Sequence, residues 1–135
     1  MNKSSLLSFA AIATLVWTGS SSFASADELA PADKKFLSGY EKVRVALVAD
    51  DLSSAKAAAT TLGESGSALG ASPSLKEARA AFDKLSENAK KLAKGQSGYY
   101  VVHCSMLKKD WVQTSTNIGN PYAGKEMAEC GEVVK

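Results

Sequence analysis

The sequence has little of what most catalytic or metal-holding sites are built from: its 135 residues include two cysteines and one histidine. A single histidine leaves no second imidazole to serve a cysteine nucleophile as base, and the adjacent His103 and Cys104 would diverge in an extended chain. The spacing of the two cysteines is not that of a four-ligand structural zinc site, which would show paired Cys-x2-4-Cys modules, and they form no Cys-x-x-Cys redox motif. The chain is therefore expected not to be an enzyme. A dominant charge is also missing, since 16 Lys+Arg face 14 Asp+Glu. No nucleic-acid partner is expected from that balance. Lys108-Lys109 is followed at once by Asp110, so no polybasic patch offers itself to anionic lipid.

Long apolar runs are confined to one place. Residues 6–16, LLSFAAIATLV, follow the cationic start Met1-Asn2-Lys3 and precede Ala24-Ser25-Ala26, a small-residue pattern suited to cleavage before Asp27. Residues 1–26 are read as a secretory signal, with a periplasmic or secreted, soluble product and no membrane insertion after cleavage. The absence of cysteine from those 26 residues argues against a lipid anchor there. Losing Lys3 with the signal leaves a net charge of roughly +1. Both cysteines remain, and in an oxidising compartment a disulfide between Cys104 and Cys130 would contribute about 3–4 kcal/mol by chain entropy.

What is present divides into two textures. After a lead-in over residues 27–33, described by its composition as flexible, a domain is expected over 34–135. Phe36, Tyr40, Val43 and Leu47 recur at helical spacing, with Asp33 as a candidate cap, and predict a helix from Lys34 to about Ala49. Asp50-Asp51 reads as solvated loop charge, and Leu52-Ser53-Ser54 as the cap of a second helix lined by Ala55, Ala58, Ala59 and Leu62. Residues 63–73 read as a Gly/Ser/Pro loop. Ser74 and Glu77 form a capping box, before a stripe of Leu75, Ala78, Phe82, Leu85, Ala89 and Leu92 that runs to about Lys94. The fold class implied is all-α: a small antiparallel bundle of three to four helices with an irregular C-terminal Cys/Met segment packed on it.

That segment carries the chemistry. Tyr99-Tyr100-Val101-Val102 favours an extended chain, and Cys104 with Met106, two residues apart, would then point to one side. Met127 and Cys130, three apart, would share a side on a helical turn, although residues 125–129 read equally as a compact loop. Thiolate and thioether sulfurs are soft donors suited to Cu(I) or Ag(I). Cys104, Met106, Met127 and Cys130 are thus candidate metal ligands, with His103 a further candidate that a strand would turn the other way. Against this stand a Cys104–Cys130 disulfide with no metal and no cofactor, two separate buried thiols, and methionines that merely fill a core. Trp111 and Tyr122 would cover the sulfurs or complete the core, and residues 120–124, NPYAG, read as a turn bringing Met127 and Cys130 back towards Cys104.

The stretch GYYVVHCSMLKKDWVQTSTNIGNPYAGKEMAECGEV, residues 98–133, resembles the C-terminal signature of the DUF3347 family: tyrosine-valine, Cys-Pro-Met, a tryptophan, Asn-Pro-Tyr-x-Gly-x-x-Met and Cys-Gly-Glu-Val. The resemblance implies a small helical domain with a role in heavy-metal binding or efflux. A periplasmic metal-efflux adaptor or another envelope protein would be its partner. It carries Cys104, Met106, Met127 and Cys130 as ligands and Asn120, Pro121, Tyr122 and Gly124 as the shaping turn. Ser105 stands where the family has proline, which relaxes the backbone and removes no ligand.

Overall fold

The computed structural model describes residues 28–135. The expected signal and its cleavage site lie outside them. Four helices come first: α1 (Pro31–Val48), α2 (Leu52–Thr60), the single turn α3 (Ser67–Gly70) and α4 (Leu75–Ala93). Three strands follow, β1 (Tyr100–Cys104), β2 (Lys109–Gln113) and β3 (Glu132–Val133), forming one antiparallel sheet in the order β2-β1-β3. No helix among the described residues is long and apolar enough to cross a membrane.

The helices follow from caps and stripes. α1 starts earlier than the periodicity suggested, with Pro31 in its first turn, where a missing N–H costs nothing. The lead-in therefore ends before Pro31, and Asp33 lies inside the helix instead of capping it. Leu37, Tyr40, Val43 and Leu47 are the buried stripe of α1, while Phe36 sits half-buried at its edge. Asp51, not Ser53 or Ser54, caps α2 by accepting from the Ser54 amide at 2.9 Å. Ser74 caps α4 through the Glu77 amide. The stretch expected as a loop holds a 3-10 turn, Gly63–Gly66, before α3. Gly66 is required there because any side chain would overlap the Ala59 carbonyl.

The three-stranded sheet overturns the all-α expectation. The chain leaves β1 through residues 105–108, with Lys108 in the left-handed region at φ 52°, and returns in register: Val102 opposite Trp111, His103 opposite Asp110, Cys104 opposite Lys109. On the other side Val102 pairs with Val133 and His103 with Glu132. β2 was not apparent because Lys-Asp-Trp-Val-Gln has no two-residue alternation. Its Trp111, Val112 and Gln113 are all buried, because it packs on α4 with one face and beneath the following loop with the other. The C-terminal segment is therefore an ordered sheet layer on the bundle.

The two layers meet at a chain of rings and hydroxyls. Tyr40 stacks on Phe82 with centroids 4.8 Å apart, and Phe82 and Trp111 both pack on Tyr122. The Tyr40 hydroxyl shares a 2.8 Å hydrogen bond with Ser86 and accepts from the Val112 amide. Burial pushes the phenols of Tyr40 and Tyr122 well above the usual tyrosine value, so both stay neutral donors.

Candidate metal centre

The site is built on the last residue of β1. Strand alternation turns Val102 and Cys104 inward, both fully buried, and leaves His103 half-exposed on the opposite face. The Cys104 thiol is in hydrogen-bonding contact with Cys130, with the Leu107 and Met106 amides and with Asn120. Both cysteines are free thiols. Burial pushes the Cys104 thiol up, but the hydrogen bonds outweigh it and hold the group below the ordinary cysteine value. Cys130 moves the other way, because its own hydrogen is engaged by Cys104 and a second negative charge beside the first is unfavourable.

Cys130 is brought to this point by Asn120. The side chain of this fully buried residue accepts from the Tyr122 and Ala123 amides at 2.9 and 3.2 Å, forming a tight turn, and donates to the Cys130 carbonyl at 2.9 Å. Its backbone N–H bonds the Ala128 carbonyl at 2.7 Å. One asparagine thus closes the loop at both ends. The turn is held to the helices by Arg79, which donates to the Pro121 carbonyl at 2.9 Å, to the Leu47 carbonyl at 3.1 Å and to Asp50. Gly124, at φ 59°, passes so close to Asp50 and Arg79 that a side chain would overlap both. Asp50 also accepts from the Lys125 amide at 3.1 Å. It is therefore an anchor for the turn, in place of the solvated charge the sequence suggested.

The methionines arrive by other routes than those foreseen. β1 ends at Cys104, so Met106 stands in the turn and not on an extended face; it is 75% exposed and fills no core. Met127 closes a 3-10 turn, Gly124–Met127, and Cys130 lies beyond it with its amide bonded to the Met127 carbonyl at 3.0 Å. Met106, Met127 and Cys130 nevertheless line one open cleft, which Lys125, Glu126 and Glu129 border. Cys104 is not on its wall but touches it through contact with Cys130. Among the described residues no three His, Cys, Asp or Glu side chains group as ligands, so an ion held here depends on the thioethers.

His103 lies outside that cleft. Its Nδ1 meets Asp110 at 2.7 Å, and Lys90 holds the other carboxylate oxygen at 3.1 Å. Those two contacts, the His103 bond first, keep the Asp110 carboxyl below its usual value. Trp111 lies under the site as a buried wall, and its indole N–H donates to Gln113 at 3.0 Å.

Sequence reasoning missed three residues that hold this region in place. Gln113 accepts from Trp111 and the Gly119 amide while donating to the Ser115 and Asn117 carbonyls. Arg44, paired with Glu41, reaches the Gly119 carbonyl at 2.9 Å. Arg79 carries the turn. Each acts on backbone groups distant in sequence, and no local pattern marks such a contact. Set against known protein families, curated proteins and solved structures, the chain matches none of them.

Proposed function

We propose that this chain is a non-catalytic module that binds Cu(I) or Ag(I) outside the cytoplasm, buffering the ion or passing it to an efflux partner in the envelope. The observation that carries the reading is an open cleft lined by Cys130 and two thioethers, with the buried Cys104 thiol in contact with Cys130 behind it, at the end of a rigid support. Cys104 and Cys130 are the anionic anchors. Met106 and Met127 add neutral sulfur, which selects against hard cations and lets the ion leave again. The DUF3347 resemblance over residues 98–133 points the same way, and the signal-like N-terminus supports an exported location. An anaerobic Cu(I) competition titration of the reduced protein against a chromophoric chelator tests the reading. One-to-one binding is expected, lost in Cys104→Ser/Cys130→Ser; unchanged affinity in that double variant would sink it.

The contact between the thiols favours a second reading, a disulfide that pins the C-terminal layer and binds no metal. It requires a bond that resists reduction in the exported protein and a marked loss of stability once reduced. Thiol counting under denaturing conditions, together with melting with and without reductant, separates the two.

A further inference from the structure

Cys130 has two sides. One meets Cys104 and the inner cleft; the other lines a second, smaller cleft with His103, Ser105, Met106, Gly131 and Glu132. Met106 also borders both. The backbone helps: Gly131, at φ 154°, is pressed against Trp111 and Val102 so closely that it allows no side chain, which seats the chain on the sheet beside Cys130, where the two clefts adjoin.

The imidazole on this second cleft is held as a ligand would be. Asp110 faces it across the β1–β2 ladder, takes Nδ1–H at 2.7 Å and is itself fixed by Lys90. A neutral imidazole that donates from Nδ1 presents its lone pair at Nε2, and a carboxylate on the far nitrogen makes that lone pair a stronger donor. Glu132, its neighbour on the other strand, adds negative charge to the rim.

We propose that this cleft is an outer position for the same class of ion, with His103 Nε2 as its distinguishing donor and Met106 and Cys130 as the sulfurs it shares with the inner site. The inference rests on the soft-metal reading above and adds a path to it. A monovalent copper or silver ion enters between His103 and Met106, Cys130 releasing its proton to solvent as it binds, and then exchanges the imidazole for Met127 and for Cys104, which releases its own proton in turn, while Cys130 keeps hold of the ion. Two-sided Cys130 makes the exchange associative, so the ion is never without a thiolate. No electron is transferred, and Ag(I) can stand for Cu(I) throughout.

His103 is the only histidine in the chain, so a single imidazole appears in long-range 1H–15N spectra of untagged, reduced, 15N-labelled protein. Titration with Ag(I) should leave Nε2 in place through the first equivalent, held by the inner sulfurs, and move it upfield beyond that, with Nδ1–H retained. In Cys104→Ser the same shift should come within the first equivalent. Asp110→Asn should weaken the outer step by about 10-fold or more and leave the inner equivalent unchanged. Ag(I) bound with Nε2 unmoved at excess ion overturns the outer position and leaves the inner site standing. A shift of wild-type Nε2 within the first equivalent overturns it too, since His103 would then belong to one merged site. No binding at all removes both proposals. If Cys104→Ser does not fold, the wild-type titration past one equivalent decides alone.

Discussion

The bundle, residues 31–93, closes its interior mainly with apolar side chains, whereas from residue 100 onward a smaller apolar core of Val102, Trp111 and Val112 is held in place by polar side chains that reach backbone groups. Leu37, Val43, Leu47, Phe82 and Leu85 make the first region, and any sequence with the right stripe and volume would do much the same. Gln113 and Asn120, with Arg44 and Arg79 reaching in from the bundle, hold the second, each satisfying specific donors or acceptors. Apolar packing is tolerant and hydrogen-bonded packing is not, because a misplaced partner leaves a buried polar group unpaired. The two thiols occupy the region where position is most tightly specified, and that is what a site with a defined geometry requires.

The largest effect should come from the contact between the regions. Phe82→Ala removes a ring that touches both Tyr40 and Tyr122, and should cost about 3–5 kcal/mol. Since the rings join the layers, both regions should unfold together. Circular dichroism, dominated by the helices, and fluorescence of Trp111, the one tryptophan after residue 26, should report one denaturation midpoint in wild type and variant alike when the chain from Asp27 onward is used. Separate midpoints would make the two regions independent and break the comparison as drawn.

Asn120→Ala strikes the polar region alone. It leaves the Tyr122 and Ala123 amides and the Cys130 carbonyl short of a partner, a loss of about 2–3 kcal/mol at typical values for orphaned groups. It should also lower Cu(I) affinity by freeing Cys130. Ser86→Ala, which removes a buried hydroxyl bonded to Tyr40 and Tyr122 but leaves every Asn120 hydrogen bond in place, should destabilise while leaving affinity unchanged. Equal affinity losses in the two variants would mean that Asn120 acts through stability and not through position.

What the sequence revealed follows the same division. Helix spacing announced α1, α2 and α4 to within a few residues, because a stripe is a local property of a sequence. The sheet escaped, although β1 has the composition of a strand, because its partner Lys109–Gln113 is buried on both faces and shows no alternation. The four sulfurs were named from residue type and spacing, yet the spacing argument for Met106 failed: the strand stops at Cys104. Asp50 looked like solvent-facing charge because its partner Arg79 lies on another helix. Contacts of this kind are set by tertiary structure and leave no local mark.

Acid should act on the polar anchors first. Asp50, chiefly through its bond to Arg79, and Asp110, chiefly through His103, both ionise below the ordinary carboxyl value in the folded chain. Between the folded and unfolded values the unfolded chain binds more protons, so stability falls as pH drops. The contribution is complete above about pH 4 and lost as pH passes down through the folded values. Asp50→Asn should flatten the dependence of melting temperature on pH in that range. An unchanged slope would show that the turn is anchored without the charge.

The smallest change in stability should accompany one of the more informative changes in binding. Met106 is 75% exposed in the turn between β1 and β2, with no core to lose and no backbone role for its side chain. Met106→Ala should therefore shift unfolding free energy by no more than about 0.5 kcal/mol, the range of surface substitutions away from special features. Its thioether borders both clefts, so Cu(I) affinity should fall even so, though less than on loss of either cysteine, because a neutral donor is removed and the thiolates remain. A methionine that mattered only to packing would show the reverse, a stability loss with affinity intact. Chemical denaturation and chelator competition on the same preparation distinguish the two, since stability and affinity at this residue then answer to different parts of the molecule.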